Sequence, residues 1–511
     1  MISILWAITG QQALEEAHVC LLYATSTGCE IIKNLVLPGI GNVTIIDHSK
    51  VTEEDVQNNF FLDPESIGQS KAKSAAELLQ ELNEDAKVVY IEKVSQIDPL
   101  ELIRNDTKAF DEFTMIITVN MLEDDVLKLA SVCQNKTLFA VKSNGLVGMF
   151  SIQAPEHTII ESHPENAVDL RLGCPFTELV DYASTFDLDT LDQTDHSHVP
   201  FVIIILKFVD AYKAKHEGKV PQSYQERKEL IQMIHEGMRI PDEENFHEAV
   251  SHVWRLSSTA SIPSEIQQIF DDPSCQNANA NSPYFWILAK AVRDFVENEG
   301  QGQLPLSGKL PDMKADTMKY IGLQNVYRQK ALFDLNAVKE RVKALLKDGD
   351  QIISDEIIQT FCKNTGHIKV IQYRPFSAYY GQVKKIVQWI KEEENICYGL
   401  VFKAADKFNS LYGRPPASLD DYGALKEQTL ALLESISIPL EQAQAFVENE
   451  AMEKSLKNFV RFGNKEVANI AALLGGIVAQ EAIKLITHQY IPINNTCIFN
   501  GITATSNVFE L

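Results

Sequence analysis

The sequence predicts an α/β fold, in which a mostly parallel, Rossmann-like sheet with helices on its faces is interrupted by a large, mainly helical insertion. Three observations support this prediction. The residues before about 150 alternate buried-strand and amphipathic-helix patterns, as parallel sheets do. Residues 166–455 have mainly helical periodicity. Residues 456–511 return to the first pattern, so the middle of the chain is predicted to be an insertion between two parts of one fold.

The first part contains the elements that would build the sheet. A strand is predicted at 18–24, followed by a helix at 28–37 that Pro38 and Gly39 terminate. A second strand is predicted at 42–47. The other predicted elements are an amphipathic helix at 66–83 and strands at 87–92, 113–119 and 137–141.

The rest of the chain completes the predicted organisation. Three segments of the insertion have loop composition: 271–283, 299–311 and 412–423. The closing part is predicted to form a buried helix at 467–486, where Gly475 and Gly476 allow close approach of a neighbour, and a strand at 496–501. The predicted domains are the two parts of one α/β domain, at 1–165 and 456–511, and the insertion at 166–455.

Composition and charge narrow the classes of function. The 511 residues carry 46 basic and 70 acidic side chains, a formal charge of −24, which disfavours nucleic acid and anionic membranes as partners. The eight cysteines include no Cys-x-x-Cys pair, as expected of free thiols in a reducing compartment. The segment MISILWAITGQQ has no signal-peptide pattern, and the apolar runs are shorter than the ~20 residues that cross a bilayer. A cytoplasmic protein is expected, with access to the nucleus left open.

The turn after the first predicted strand lacks most glycines of a nucleotide-binding loop. Such glycines let backbone N–H groups reach phosphates at a helix N-terminus. The turn runs from Tyr23 to Gly28, and only Gly28, at the position of close helix–sheet packing, is a glycine. Asp47 is correctly spaced to hold a ribose. Either the hydroxyls of residues 25–27 cradle a phosphate, or side chains block its approach and the fold persists without a site, which is the favoured interpretation.

Two runs resemble the adenylation domain of ubiquitin-activating-type enzymes. They are GCEIIKNLVLPGIGNVTIIDHSKV at 28–51 and IAALLGGIVAQEAIKLITHQYIPINNTCIFNG at 470–501. Within that family, segments of the insertion are similar to the regulatory subunits of heterodimeric neddylation-activating enzymes: 161–172, 195–208, 282–305 and 311–331. The resemblance covers essentially the whole chain. It implies a pseudo-active adenylation fold that acts as the non-catalytic half of an enzyme activating a ubiquitin-like modifier.

The resemblance also implies which phosphate-binding groups have been lost. Active members have glycines where this chain has Tyr23, Thr25 and Ser26, and an arginine where it has Asn59. Lys71 matches a retained lysine. Adenylation builds negative charge on the phosphates, and loss of one stabilising group typically costs about 10²–10³ in rate. The resemblance therefore implies that this chain binds no cofactor, with ATP and magnesium on its partner.

The matching metal-binding aspartate falls at Leu122, although Asp124 and Asp125 are close enough that the register decides this assignment. Gly28, Asp47 and Lys71 are then vestigial residues with structural roles. No metal site is expected in this chain.

The insertion corresponds to the catalytic-cysteine domain of the family. Its cysteines, at 174, 275, 362 and 397, are not in a context that resembles the active motif. Asp271 and Asp272 would raise the pKa of Cys275, and Cys397 and Cys29 are predicted to be core residues. No catalytic residue is therefore expected.

Partner binding is implied by the resemblance alone. The expected partners are a catalytic subunit in a heterodimer, the ubiquitin-like modifier and, as a further candidate, the conjugating enzyme. His198 and the segment 312–325 would contact the catalytic subunit, with these residues of the segment singled out: Asp312, Met313, Lys319, Tyr320, Leu323, Gln324 and Asn325. His196 and His198 could also suggest a metal, but two histidines without a third ligand favour loop packing.

One departure concerns the first residues of the sequence. Leu5 and Trp6 match the family, but Met1 falls where members carry an arginine that is thought to reach the partner's ATP site. An arginine supplied by this chain is therefore in doubt.

Two other classes of function remain as alternatives. A nicotinamide-dependent oxidoreductase on a Rossmann scaffold is disfavoured by the missing glycines. A free-standing adaptor on a dead Rossmann fold would act without a catalytic partner.

Overall fold

The computed structural model describes residues 7–91, 101, 108–164, 168–257, 262–347 and 351–511. The chain forms two compact units. Unit 1 comprises Met1–His157 and Val370–Leu511, and unit 2 comprises Thr158–Lys369. Short strands β7 (His157–Ile159) and β8 (Lys369–Ile371) lie where the chain passes from one unit to the other.

Unit 1 is built from an α/β part and a set of helices. In chain order its N-terminal elements are α1 (Ala7–Glu16), β1 (His18–Leu22), α2 (Ser26–Val36), β2 (Asn42–Ile46), α3 (Glu53–Asn58), α4 (Lys71–Gln80), β3 (Lys87–Tyr90), β4 (Met115–Val119), α5 (Glu123–Val132), β5 (Thr137–Asn144) and β6 (Val147–Gln153).

Unit 2 is helical in the described residues that lie between β7 and β8. Its helices are α6 (Thr177–Ser184), α7 (Gln193–His196), α8 (Phe201–Lys215), α9 (Tyr224–Glu236), α10 (Glu244–His252), α11 (Ser264–Asp271), α12 (Pro273–Gln276), α13 (Tyr284–Glu297), α14 (Thr317–Leu346) and α15 (Asp355–Asn364). Helices α6, α8, α9, α10 and α14 share a core that includes Leu179, Ile204 and Phe246.

The chain then re-enters unit 1 and completes it. The elements of this part are α16 (Val383–Glu392), α17 (Asn395–Tyr412), α18 (Tyr422–Ser435), α19 (Leu440–Val447), α20 (Glu450–Phe462), α21 (Ala468–Thr487), β9 (Thr496–Asn500) and β10 (Thr505–Phe509).

The sheet of unit 1 confirms the predicted α/β fold and extends it. Within the described residues its order is β10-β9-β6-β5-β4-β1-β2-β3. The pairs from β3 to β5 are parallel, while β5–β6, β6–β9 and β9–β10 are antiparallel. Successive side chains of β1 point to opposite faces, with Val19 and Leu21 in one core and Cys20 and Leu22 in another.

The insertion ends much earlier than the predicted position 455. Helices α16 to α20 belong to unit 1, because they share a core with the antiparallel end of the sheet that includes Leu400, Phe459 and Ile498. Lys142 in β5 also pairs with Asp406 in α17 at 2.6 Å. The predicted boundary at 165 and 166 lies outside the described residues. The helical pattern was the same on both sides of Lys369, so it could not mark the return of the chain.

Several predicted elements differ in detail. The predicted strand 18–24 ends at Leu22, and the predicted helix 66–83 begins only at Lys71, after a helical turn at Pro64–Ser66. The predicted loop 271–283 contains the short helix α12. β6 and β10 were not predicted, and residue 92 of the predicted strand 87–92 lies outside the described residues.

Helix α2 packs very closely against the sheet and against α21. A Cβ at Gly28 would come within 2.9 Å of the carbonyl oxygen of Tyr23. A Cβ at Gly475 would lie 2.7 Å from the Cβ of Glu30 in α2. These contacts confirm the packing roles predicted for Gly28 and Gly475. A Cβ at Gly476 would have nothing within 4 Å, so the close approach predicted at this glycine is wrong.

Helix α21 is longer than the apolar run in the sequence. By length and composition alone, its 20 residues could cross a membrane, and 61% of its most apolar window is buried in the protein. Leu474, Val478 and Ala482 lie in the core on the α2 side of the sheet. Burial of this kind is typical of a core helix.

Gly475→Ala is expected to destabilise unit 1 by about 1–3 kcal/mol, because the added methyl group would meet the side chain and backbone of α2. Gly476→Ala is the matched control on the same helix. It is expected to leave stability unchanged or to raise it by up to about 1 kcal/mol, since alanine favours helix more than glycine does. Urea or thermal unfolding of both variants measures the difference, and equal stabilities would contradict the packing constraint.

Candidate functional site

The topology of unit 1 places a candidate nucleotide site at the carboxyl ends of its parallel strands. β1 lies between β2 and β4. The chain adds β2 and β3 on one side of β1 and then crosses to add β4 and β5 on the other side, so the strand order reverses at β1. Open α/β sheets bind ligands at such a switch point. The residues that follow the three strands are Ala24 and Thr25 after β1, Asp47 after β2 and Asn120 after β4.

The turn after β1 is ordered by backbone contacts of its own chain. Tyr23 has a φ of 73°, a left-handed conformation, and its N–H donates to the carbonyl of Ile46 at 3.0 Å. The hydroxyl of Thr25 caps α2 by accepting from the N–H of Gly28 at 3.2 Å. The turn therefore begins a helix without a run of glycines.

The carboxylate of Asp47 is used within the protein. It is only 3% exposed, and one oxygen accepts from the N–H of Ala24 at 2.8 Å. The other oxygen accepts from the N–H of Ser49 at 2.8 Å and from its hydroxyl at 2.6 Å. These bonds tie β2 to the turn after β1, and both oxygens are engaged in doing so.

Asn59 stabilises the same turn from the other side. Its buried amide donates to the carbonyl of Ala24 at 3.4 Å, and its oxygen accepts from the N–H of Phe61 at 3.0 Å. The side chain in the position of the family's arginine thus points to protein backbone. Its contacts are those of a structural residue.

Lys71 is paired with a carboxylate of α3. Its Nζ lies 2.8 Å from Oδ1 of Asp55. Burial raises the pKa of Asp55, but hydrogen bonds from Lys71 and Thr52 outweigh that effect and lower it. The lysine charge is therefore compensated by its own chain.

The two aspartates near the predicted metal position differ in burial and in their partners. Leu122 is the N-cap residue of α5 and makes no side-chain cap bond. Asp124 is exposed, whereas Asp125 is buried and pairs with Lys128 at 3.0 Å. Among the described residues, no group of three His, Cys, Asp or Glu side chains could hold a metal.

Glu466 is a residue of this site that sequence reasoning missed. It precedes α21, and its carboxylate accepts from the N–H of Thr27 at 3.0 Å and from the amide of Asn120 at 3.2 Å. Burial raises the pKa of this carboxyl, and the hydrogen bond from the N–H of Thr27 acts in the opposite direction. The pattern of the turn gave no sign that an acid from position 466 would reach it, because the two are joined only by the tertiary fold.

The cysteines divide into one exposed thiol and seven buried ones. Cys174 is exposed and lies before α6. Burial raises the pKa of Cys29, Cys275, Cys362 and Cys397 to about 12. The core positions predicted for Cys29 and Cys397 are confirmed. For Cys275 the predicted direction holds, but burial is the main cause and Asp272 a minor one.

The two regions predicted to contact a partner lie together in unit 2. The N–H of Asp316 donates to the carbonyl of His198 at 3.0 Å, and Lys319 pairs with Asp195 at 2.9 Å. The Nδ1 atom of buried His196 lies 2.7 Å from Oε1 of Glu243, in agreement with loop packing. We define His198 and residues 312–325 as the α14 surface.

The α14 surface is only partly as predicted. Asp312, Gln324 and Asn325 are exposed, and Met313, Lys319 and Tyr320 are partly exposed. Leu323 is fully buried in the core of unit 2, so its assignment as a contact residue is wrong. Met318 and Ile321, which were not singled out, are 76% and 42% exposed. Met1, Leu5 and Trp6 lie outside the described residues.

Comparisons with known proteins agree with this architecture. Residues 2–148 match the model of the ThiF family. The chain is 40% identical to "NEDD8-activating enzyme E1 regulatory subunit" of Xenopus laevis, covering 99% of this chain and 97% of that protein. The protein of the same name from Gallus gallus is also 40% identical, over 99% and 96%. The chain is 36% identical to "NEDD8-activating enzyme E1 regulatory subunit AXR1" of Arabidopsis thaliana, over 99% and 95%.

The folded chain is expected to expose one of its eight thiols to a disulfide reagent such as DTNB, because the other seven are buried. Counting thiols at pH 8 before and after unfolding in urea measures this. Cys174→Ser should abolish the native reaction, whereas Cys275→Ser should leave it unchanged. A second fast thiol in the native chain would contradict the burial described above.

Proposed function

The chain belongs to the family of NEDD8-activating enzyme E1 regulatory subunits, and from this premise we propose that it is the non-catalytic half of a heterodimer. The other subunit would bind ATP and magnesium and carry the cysteine that forms the thioester. This chain would complete the assembly and help to position the ubiquitin-like modifier, which then passes to a conjugating enzyme.

The observation that carries this proposal is the internal use of Asp47. A ribose-binding carboxylate must be accessible, but Asp47 is only 3% exposed and its two oxygens accept three hydrogen bonds from Ala24 and Ser49. Asn59, in the position of the arginine, supports backbone in the same way. Adenylation depends on several positioned donors and cations, and loss of each typically costs about 10²–10³ in rate.

The thiols support the same proposal for the second reaction. A thioester-forming cysteine must ionise near neutral pH. Of the three cysteines of unit 2, Cys275 and Cys362 have a pKa raised to about 12 by burial, far from that requirement, and Cys174 is exposed, so the support comes from the two buried thiols. A partner that supplies an activated cysteine would account for the chemistry of the assembly.

Co-expression with a candidate catalytic subunit tests the proposed function. We expect a one-to-one complex on size exclusion that charges the modifier in an ATP-dependent thioester assay. The chain by itself should bind no ATP and form no thioester. Magnesium-dependent ATP binding by this chain in isolation would contradict the proposal. A stable chain that forms no complex with the catalytic subunit would favour the free-standing adaptor.

The α14 surface gives a prediction about the partner. Met318→Asp is expected to weaken association with the catalytic subunit by about tenfold or more, because an exposed apolar side chain in an interface becomes a desolvated charge. Ile352→Asp is the matched control, since Ile352 is also in unit 2 and is 92% exposed, but lies outside the α14 surface. Interferometry with immobilised partner measures both, and equal affinities would exclude the α14 surface as the interface.

A further inference from the structure

We infer that the carboxylate of Glu466 occupies the place at the N-terminus of α2 where a nucleotide phosphate would be held, and so keeps phosphate out of this chain's nucleotide fold. The inference rests on the proposed function, since it gives the physical reason for which this chain would bind no nucleotide. It differs from loss of binding residues, because here a side chain of the protein takes a donor that a phosphate would need.

The carboxylate satisfies a helix donor that has no partner within the helix. Thr27 lies in the first turn of α2, where backbone N–H groups have no acceptor in the helix itself. Its N–H donates to Oε2 of Glu466 at 3.0 Å. The N-terminus of a helix attracts negative charge, and phosphates bind there for that reason. Glu466 brings a carboxyl oxygen to the same donor.

The second oxygen of the carboxylate is fixed as firmly as the first. The amide of Asn120 donates to Oε1 of Glu466 at 3.2 Å. A second hydrogen bond fixes the orientation of the Asn120 amide, because its oxygen accepts from the N–H of Ser143 at 2.9 Å. Both carboxylate oxygens therefore face donors from the carboxyl edge of the sheet, one after β1 and one after β4.

The backbone beside Glu466 is anchored to β5, so the side chain does not depend on a mobile contact. The N–H of Gly145, the residue after β5, donates to the carbonyl of Lys465 at 2.7 Å, and Gly145 forms a parallel bridge with Glu466. A Cβ at Gly145 would lie 2.0 Å from the ring of Phe462, so only glycine permits this approach. The backbone before α21 is therefore held against β5, and the Glu466 side chain extends from it to the N-terminus of α2.

The hydroxyls of the turn do not bind Glu466. Residues 25–27 were the candidates for cradling a phosphate, but the hydroxyl of Thr25 accepts from the N–H of Gly28 and that of Ser26 donates to the carbonyl of Asn58 at 2.7 Å. The Thr27 hydroxyl is buried without a hydrogen-bond partner among the described residues. A phosphate entering here would meet a carboxylate at hydrogen-bond distance from the same donors. Because a phosphate oxygen and the Glu466 carboxyl cannot occupy the same place beside the Thr27 N–H, Glu466 must leave before an anion can bind there.

The experiment uses the co-expressed heterodimer and a readout confined to this chain. Hydrogen exchange of the peptide that contains residues 24–29 is measured with and without inorganic phosphate, against chloride at equal ionic strength. In Glu466→Ala the peptide should exchange faster, about tenfold or more for the Thr27 amide, as a charge-assisted bond is lost. Phosphate should restore its protection. In the wild type, phosphate should change nothing.

Glu466→Gln is the matched control, because it keeps the shape of the side chain and still fills the place of the anion. Phosphate should not protect the peptide in this variant. A folded Glu466→Ala complex without phosphate-dependent protection would overturn the inference. It would leave the proposed function standing, since the loss of the phosphate-binding arginine and glycines would then be enough to prevent nucleotide binding. Phosphate protection in the wild type would overturn the inference and also count against the proposed function.

Glu466→Asp covers the case in which the alanine variant does not fold. The aspartate keeps the charge but withdraws the carboxylate by about 1.5 Å, one carbon–carbon bond. The peptide should then exchange faster than in the wild type, without rescue by phosphate. Exchange at the wild-type rate would show that the carboxylate does not hold the Thr27 amide, which overturns the inference.

Discussion

The close packing of α2 against both the sheet and α21 is the constraint on which the rest of unit 1 depends. The helix approaches both neighbours so closely that Gly28 on one side and Gly475 on the other leave no space for a Cβ. This packing fixes where the N-terminus of α2 lies relative to the strand ends. Residues more than 400 positions apart in the chain therefore meet at one point, where Glu466 reaches Thr27.

The carboxyl edge of the sheet shows how a nucleotide fold can persist after its polar groups have found partners within the chain. Asp47 serves the turn and Ser49, Asn59 serves backbone, and Lys71 is compensated by Asp55. Buried polar groups are costly when unpaired, so side chains that no longer meet a ligand must be satisfied from within. Such a network stabilises the fold, and under the proposed function these side chains would serve the fold alone.

The division of the chain into units follows from packing that no local pattern records. Residues 383–462 have the same amphipathic helical character as unit 2, yet their core includes Ile498 of β9, and Lys142 of β5 pairs with Asp406 of α17. Helical periodicity indicates that one face of a helix is buried, but it does not indicate which other element covers that face. The α14 surface illustrates the same limit, since Leu323 and its exposed neighbours share one helix and only the fold separates them.

The sequence by itself determined the class of the fold, the strands and helices around the first turn, the packing glycines, and the family to which the chain belongs. These features depend on local periodicity, on residues with special backbone freedom and on runs of characteristic residues. All of these can be recognised in the sequence without knowing the tertiary contacts. Only the tertiary structure decided the end of the insertion at Lys369, the burial of Leu323 and the arrival of Glu466 at α2. Those features depend on contacts between distant segments, and a carboxylate acquires its role from the donors that the fold places around it.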